Sequence, residues 1–135
     1  MPRERPDDSH LIHRELTGAI IGAFFEVYNW LKGSGYLESV YRSALAVELQ
    51  LSGHHCVREG LVEVLYKGVR VGNYRYDLLV DGKVLVEVRS TDVPAPNAKR
   101  QLLNALRGTG LEVGLVLHFG PEPRFFRCVD QRFID

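Results

Sequence analysis

Three charged residues fall where a strand pattern is otherwise apolar. Asp77 sits within Tyr74-Arg-Tyr-Asp77-Leu-Leu-Val80, and Glu87 and Arg89 close the run Val84-Leu-Val-Glu87-Val-Arg89. A spacing of two puts Glu87 and Arg89 on one face of their strand. The carboxylates of Asp77 and Glu87, with the backbone carbonyl of Val88, form a hard oxygen donor set suited to a divalent cation. Such a cation polarises a phosphodiester and generates hydroxide from water. A positive side chain at position 89 can orient the nucleophile or stabilise charge developing at phosphorus.

That chemistry requires the two carboxylates to meet. Asp81-Gly82 is a hairpin signal. As a two-residue loop it would put Asp77 opposite Val86 and Glu87 opposite Tyr76, on different sides of the sheet. A three-residue connection, Asp81-Gly82-Lys83, pairs Val80 with Val84 and Asp77 with Glu87. A bulge near Asp77 has a similar effect. One of these irregularities is therefore expected. The competing reading of the same residues is an ion-pair network of Asp77, Arg75 and Arg89, because buried charges need partners.

The surrounding periodicities say what positions these residues. Residues 1–9 are polar, with two prolines, and are expected to form a flexible arm. Ile12, Leu16, Ala19, Ile20, Ala23, Val27 and Leu31 step by three or four, which predicts a helix capped by Asp8 or Ser9 and stopped by Gly33-Ser-Gly35. A second helix is predicted from Leu37 to Leu51, with Leu37, Val40, Tyr41, Ala44, Leu45 and Glu48 on its broad face and Glu48 within reach of Tyr41. Period two follows: a strand over Val62–Tyr66, a second from Val69 to Val80 with a bulge or break at Gly72-Asn73, and a central strand over Val84–Arg89. Thr91 to Asn97 reads as a loop, Ala98 to Leu106 as a helix closed by Gly108, Glu112 to His118 as a parallel strand, and Phe125 to Val129 as an edge strand. The order ααβββαβ(β) implies an α/β fold, a mixed sheet flanked by helices, with residues 10–135 as a single domain. Trp30 reads as core or helix-end packing.

Composition narrows the function classes. The chain has 135 residues, 17 basic and 17 acidic side chains, and 45% hydrophobic residues. Balanced charge gives no global attraction to nucleic acid, although Lys99, Arg100 and Arg107 give the third helix a basic side. Glu26 interrupts the richest apolar stretch, so no membrane span is expected. No signal sequence is evident, and Cys56 and Cys128 lack metal-ligand spacing, so reduced thiols and a cytoplasmic location are expected. The five histidines show no ligand spacing; His118, at a strand end, is a weak site candidate.

Gly35-Tyr-Leu-Glu38-Ser-Val-Tyr41 matches the pattern GxxExxY at each defined position. Tyr66-Lys-Gly68, Tyr74 to Val80, Val84 to Arg89, Gln101-Leu-Leu-Asn104 and Gly114 to Gly120 follow in order. This set resembles the GxxExxY protein family of the PD-(D/E)XK nuclease-like superfamily over about residues 11–130. The resemblance implies a restriction-endonuclease-like fold and a site made of Glu38, Asp77, Glu87, Arg89 and Gln101. It implies Mg²⁺ or Mn²⁺ held by Asp77, Glu87 and the Val88 carbonyl. Glu38 would complete or orient that shell, and Gln101 would steady the site or touch a backbone phosphate. The implied partner is nucleic acid, DNA in preference to RNA, and a homodimer would let two sites address two strands. The family places lysine where this chain has Arg89, and more often shows His and Asn at the positions of Tyr28 and His118. Arginine binds phosphate bidentately but does not readily exchange a proton. Two functions follow: a metal-dependent nuclease, or a catalytically inactive nucleic-acid- or protein-binding module on the same fold.

Overall fold

A computed structural model describes residues 12–33 and 35–130. The expected arm and its capping candidates Asp8 and Ser9 lie outside the described residues. Helices α1 (Arg14–Trp30) and α2 (Glu38–Leu51) come first. Five strands follow: β1 (Cys56–Arg58), β2 (Leu61–Tyr66), β3 (Val69–Arg75), β4 (Leu78–Val80) and β5 (Val84–Arg89). Helix α3 (Ala98–Thr109) and strands β6 (Val113–Phe119) and β7 (Pro123–Val129) complete the order ααβββββαββ.

The strands beyond the expected order arise in one place. β1 is too short to show a period, and the strand predicted from Val69 to Val80 is divided at Tyr76-Asp77. Its halves nevertheless share one antiparallel register with residues 56–64: Cys56 faces Val80, Arg58 faces Leu78, Leu61 faces Arg75 and Val64 faces Gly72. At the division, the Glu59 N–H donates to the Asp77 carbonyl at 2.9 Å and the Tyr76 N–H to the Gly60 carbonyl at 3.0 Å. Glu59 has a left-handed φ of 51°, so the ladder bends there rather than ending. β1 and β4 join a five-stranded sheet ordered β1-β4-β5-β6-β7, while β2 and β3 form a separate two-stranded ribbon. The ribbon's register shifts between Val64 and Leu65, beside the Gly72 that the sequence marks.

β5 lies in the middle of the sheet, buried on both faces as its apolar run predicts. It runs antiparallel to β4 and parallel to β6. Val84, Val86 and Val88 pack with Phe24, Tyr41 and Leu45 of the α1–α2 layer. Leu85 packs with Leu102 and Leu106 of α3 on the other side. Strand alternation then sends Glu87 and Arg89 toward the α3 side.

Three details differ from expectation. The buried face of α2 is Tyr41, Leu45, Ala46 and Leu49, leaving Leu37 and Val40 exposed. Trp30 is 79% exposed because Leu31, not Trp30, continues the buried stripe of α1. Helix α3 runs through Gly108 and ends at Gly110, whose φ of 76° supplies the left-handed cap.

The bend leaves no room beside Gly60. A Cβ there would lie 2.1 Å from the Tyr76 hydroxyl oxygen and 2.2 Å from its ring carbon Cζ. Gly60→Ala should therefore destabilise the chain by about 1–3 kcal/mol in urea unfolding. Adding Tyr76→Leu should recover part of that loss. Strictly additive effects of the two changes would contradict the close approach.

Candidate active site

The connection between β4 and β5 decides whether the carboxylates meet. Val80 faces Val84 and Leu78 faces Val86, and the same register one step on sets Asp77 opposite Glu87. The loop is the three-residue connection Asp81-Gly82-Lys83. Asp81 and Gly82 are left-handed, with φ of 53° and 67°, and the Lys83 N–H donates to the Val80 carbonyl at 3.0 Å. Asp81 is anchored in that conformation by its carboxylate, which pairs with His54 Nδ1 and accepts the His55 N–H, both at 2.8 Å. Those bonds hold its carboxyl below the usual range. His54 and His55 thus serve the turn.

Asp77 and Glu87 are interlocked through the backbone. The Asp77 N–H, released by the bend, donates to Glu87 Oε1 at 3.1 Å. The Val88 N–H donates to Asp77 Oδ2 at 2.7 Å. The Tyr74 hydroxyl donates to Glu87 Oε2 at 2.8 Å. Glu87 is only 5% exposed. Burial, then the neighbouring Asp77 charge, pushes its carboxyl above the usual glutamate value, against the opposing effect of Tyr74 and Arg89. Burial and the Glu87 charge likewise push the Tyr74 hydroxyl up, so it stays a donor.

Two guanidinium groups balance these carboxylates. Arg89 Nη1 donates to the Val88 carbonyl at 3.0 Å and lies 3.7 Å from Asp77 Oδ2, while Nη2 lies 3.4 Å from Glu87 Oε2. Arg42 of α2 donates from Nη1 to Asp77 Oδ1 at 3.1 Å and lies 3.6 Å from Glu59 through Nη2. The sequence reading missed Arg42; its one signal was a place four residues after Glu38, on the same side of a helix. It also missed Tyr74 as a partner of Glu87. Arg75, offered as an ion-pair partner of Asp77, is exposed and makes no ion pair among the described residues.

The residues of the GxxExxY pattern fasten α2 to the end of β5. Gly35 has a φ of 116°, a conformation suited to glycine. Glu38 opens the helix, and its Oε2 accepts the Ser90 N–H at 3.1 Å. Ser90 Oγ donates to the Tyr36 carbonyl at 2.7 Å. Tyr41, fully buried, donates its hydroxyl to the Gly33 carbonyl at 2.9 Å and accepts the Tyr36 N–H at 3.2 Å. Its partner is therefore the turn, not Glu48. A cleft of about 490 Å³ opens beside this joint, lined in part by Glu38, Ser90 and Thr91.

Asp77, Glu87 and Arg89 thus meet in direct contact and Glu38 joins them through Ser90, whereas Gln101 makes no hydrogen bond to any of them. Gln101 is exposed in α3 and its side chain has no hydrogen-bond partner among the described residues. His118 faces Arg89 across β5 and β6 but is only 2% exposed. Thr91 donates its hydroxyl proton to the Val93 carbonyl at 2.6 Å, so His118 Nε2, 3.1 Å from Thr91 Oγ1, must donate in turn. Nδ1 is buried without a hydrogen-bond partner.

The donor set suits a hard cation, since Mg²⁺ is commonly bound by one or two carboxylates together with other oxygen donors. Among the described residues no third His, Cys, Asp or Glu side chain joins Asp77 and Glu87 in a metal cage.

Residues 14–128 match the sequence profile of the PD-(D/E)XK nuclease superfamily. The chain belongs to that superfamily. The mixed sheet with helices on both faces, expected as restriction-endonuclease-like, is the PD-(D/E)XK arrangement. The crystal structure of SSO0001 is similar at a TM-score of 0.52 and 18% identity, over 68% of this chain and 49% of that one. The crystal structure of an alkaline exonuclease, LHK-Exo from Laribacter hongkongensis, aligns at a TM-score of 0.47 and 16% identity, over 63% of this chain and 52% of that one. The chain thus spans about half the length of these solved structures. No curated protein matches the sequence.

Two measurements probe this charged cluster. A raised Glu87 pKa means the folded chain holds that proton to higher pH than the unfolded chain. This part of the stability is present below the ordinary value of 4.5 and is lost as pH rises through Glu87's higher one. Glu87→Gln mimics the protonated form, so its urea midpoint should gain on wild type as pH rises from about 4 to about 7. A pH-independent difference would contradict the raised value. Separately, Arg42→Met keeps the apolar stem but removes the donor to Asp77 Oδ1, and should cost about 1.5–3 kcal/mol in the same assay. Unchanged stability would mean the ion pair contributes nothing.

Proposed function

We propose that this chain is a metal-dependent nuclease of the GxxExxY type, hydrolysing nucleic-acid phosphodiester bonds, in DNA in preference to RNA. The observation that carries the reading is the meeting of Asp77 and Glu87 beside Arg89, in a chain whose residues 14–128 match the superfamily. In this reading Asp77, Glu87 and the Val88 carbonyl hold Mg²⁺ or Mn²⁺. A divalent ion there supplies Lewis-acid activation of the phosphate and a water of lowered pKa. Glu38 acts at one remove by tying Ser90, the residue after Arg89, to α2. Arg42 and Tyr74 set the carboxylates of Asp77 and Glu87 at fixed angles. In the same reading Arg89, when it leaves the carboxylates, pairs with phosphate oxygens. Gln101, free on the surface of α3, contributes a contact to the nucleic-acid backbone. No helix among the described residues is long and apolar enough to cross a membrane. The free Cys56 and Cys128 fit a reducing, cytoplasmic setting.

One observation favours a second reading. Arginine at 89 is permanently charged and cannot accept a proton from attacking water. A binding module that engages nucleic acid, or a protein, without turnover accommodates that residue directly.

A cleavage panel separates the two: single-stranded, double-stranded and branched DNA, and RNA, each with Mg²⁺ or Mn²⁺. The nuclease reading expects metal-dependent cleavage by wild type that falls to background in Glu87→Ala. Activity that appears only in Arg89→Lys, or salt-dependent binding without cleavage by any variant, would favour the binding module. Cleavage retained by Glu87→Ala would remove the site assignment altogether.

A further inference from the structure

The Arg89 side chain curls back over its own strand. Its guanidinium contacts three oxygens together: the Val88 carbonyl, Asp77 Oδ2 and Glu87 Oε2. These belong to the same groups that the nuclease reading gives to the metal. We propose that Arg89 is a built-in counter-cation, which occupies the metal position itself and competes with the divalent ion for it. The inference rests on the reading of Asp77, Glu87 and the Val88 carbonyl as metal ligands.

The surroundings leave the guanidinium this place. The other contacts of the two carboxylates come from within the chain. Asp77 accepts from Arg42 and from the Val88 N–H, and Glu87 accepts from the Asp77 N–H and from Tyr74. What remains is the side where both carboxylates meet the Val88 carbonyl, and Arg89 closes it. Two like charges this little solvated need a positive group between them. A guanidinium does so with a rigid fork of N–H donors, reaching the carbonyl of its own strand through one arm and the carboxylate of Glu87 through the other. A lysine ammonium carries its donors on a single atom and lacks that span.

The two cations exclude each other. A hard divalent ion binds oxygen at about 2.0–2.6 Å, so a guanidinium and a metal on the same oxygens would bring two positive centres into contact. Metal entry therefore requires Arg89 to swing away. The fold permits that movement, because Arg89 is the last residue of β5 and its side chain is 20% exposed. Its departure breaks no strand pairing, since the ladder is made by backbone groups.

The test is Mn²⁺ binding by the full chain, read by loss of the free-ion electron paramagnetic resonance signal and by the shift in melting temperature. Wild type, Arg89→Ala, Arg89→Lys and the double variant Arg89→Ala with Glu87→Gln are compared. Wild type should bind weakly, and Arg89→Ala should bind tighter by about tenfold or more, the scale of a typical coupling between two ligands. Mn²⁺ should raise the melting temperature of Arg89→Ala more than that of wild type. Arg89→Lys keeps the charge and should also bind tighter than wild type, which separates the guanidinium fork from simple charge removal. Free guanidinium ion should displace Mn²⁺ from Arg89→Ala beyond the effect of sodium at equal ionic strength. The double variant should lose the gain.

Equal Mn²⁺ affinity in wild type and both single variants would overturn the competition while leaving the metal reading standing. A gain that survives in the double variant would place the ion elsewhere and overturn it too. Absence of binding in both single variants would overturn the metal reading and the inference together.

Discussion

Two carboxylates held side by side at the end of a buried strand repel each other, and neither finds enough water to dissipate its charge. The arrangement around Asp77 and Glu87 answers that constraint. The Asp77 backbone leaves its ladder to donate to Glu87, and the Val88 backbone donates to Asp77. Tyr74 gives its hydroxyl from the ribbon, and Arg42 reaches across from α2. Arg89 closes the remaining side from the same strand as Glu87. These contacts bring α2, β3 and β5 to one point, so the positions of ribbon, helix and sheet are coupled through the same pair of acidic groups.

The bend at Glu59 makes that convergence geometrically available. A straight hairpin would keep the Asp77 N–H inside the strand pairing and leave Glu87 one donor short. The left-handed Glu59 lies where the ribbon and the sheet part, with the register preserved on both sides. The joint at Gly35, Glu38 and Tyr41 performs the complementary task from the other side. It fastens α2 to Ser90 and so fixes where Arg42 can reach. The conspicuous sequence pattern is thus largely a clamp, and the less conspicuous Arg42 touches the carboxylate.

The pairing of Asp77 with Glu87 was legible because strand register is arithmetic: a three-residue loop dictates which side chains meet. The central placement of β5 was legible from its unbroken apolar run. The division at Tyr76-Asp77 was not, because the residue that causes it, Glu59, lies on the partner strand and glutamate carries no mark of a left-handed conformation. Arg42 was hidden for a related reason, since an arginine one turn after a glutamate resembles an ordinary helix-surface pair. The exposure of Trp30 misled because size and aromaticity usually signal burial, whereas helix phase decided the matter. Gln101 rested on resemblance alone, and its side chain has no partner among the described residues.

The clustered side chains all come from one continuous stretch, residues 38–90, with Glu38 and Ser90 at its limits. The antiparallel pairings of β1 with β4 and of β4 with β5 are also internal to it. Only the parallel pairing of β5 with β6 requires the chain to pass through α3 first. Loop-closure entropy grows with the number of residues a contact spans. The Glu38–Ser90 bond spans 52 residues and the Arg42–Asp77 pair 35, so the cluster closes longer loops than the step from Val84 to Val113 through α3. The acidic pair and its partners therefore hold together parts of the chain farther apart in sequence than the strands on either side of that crossover.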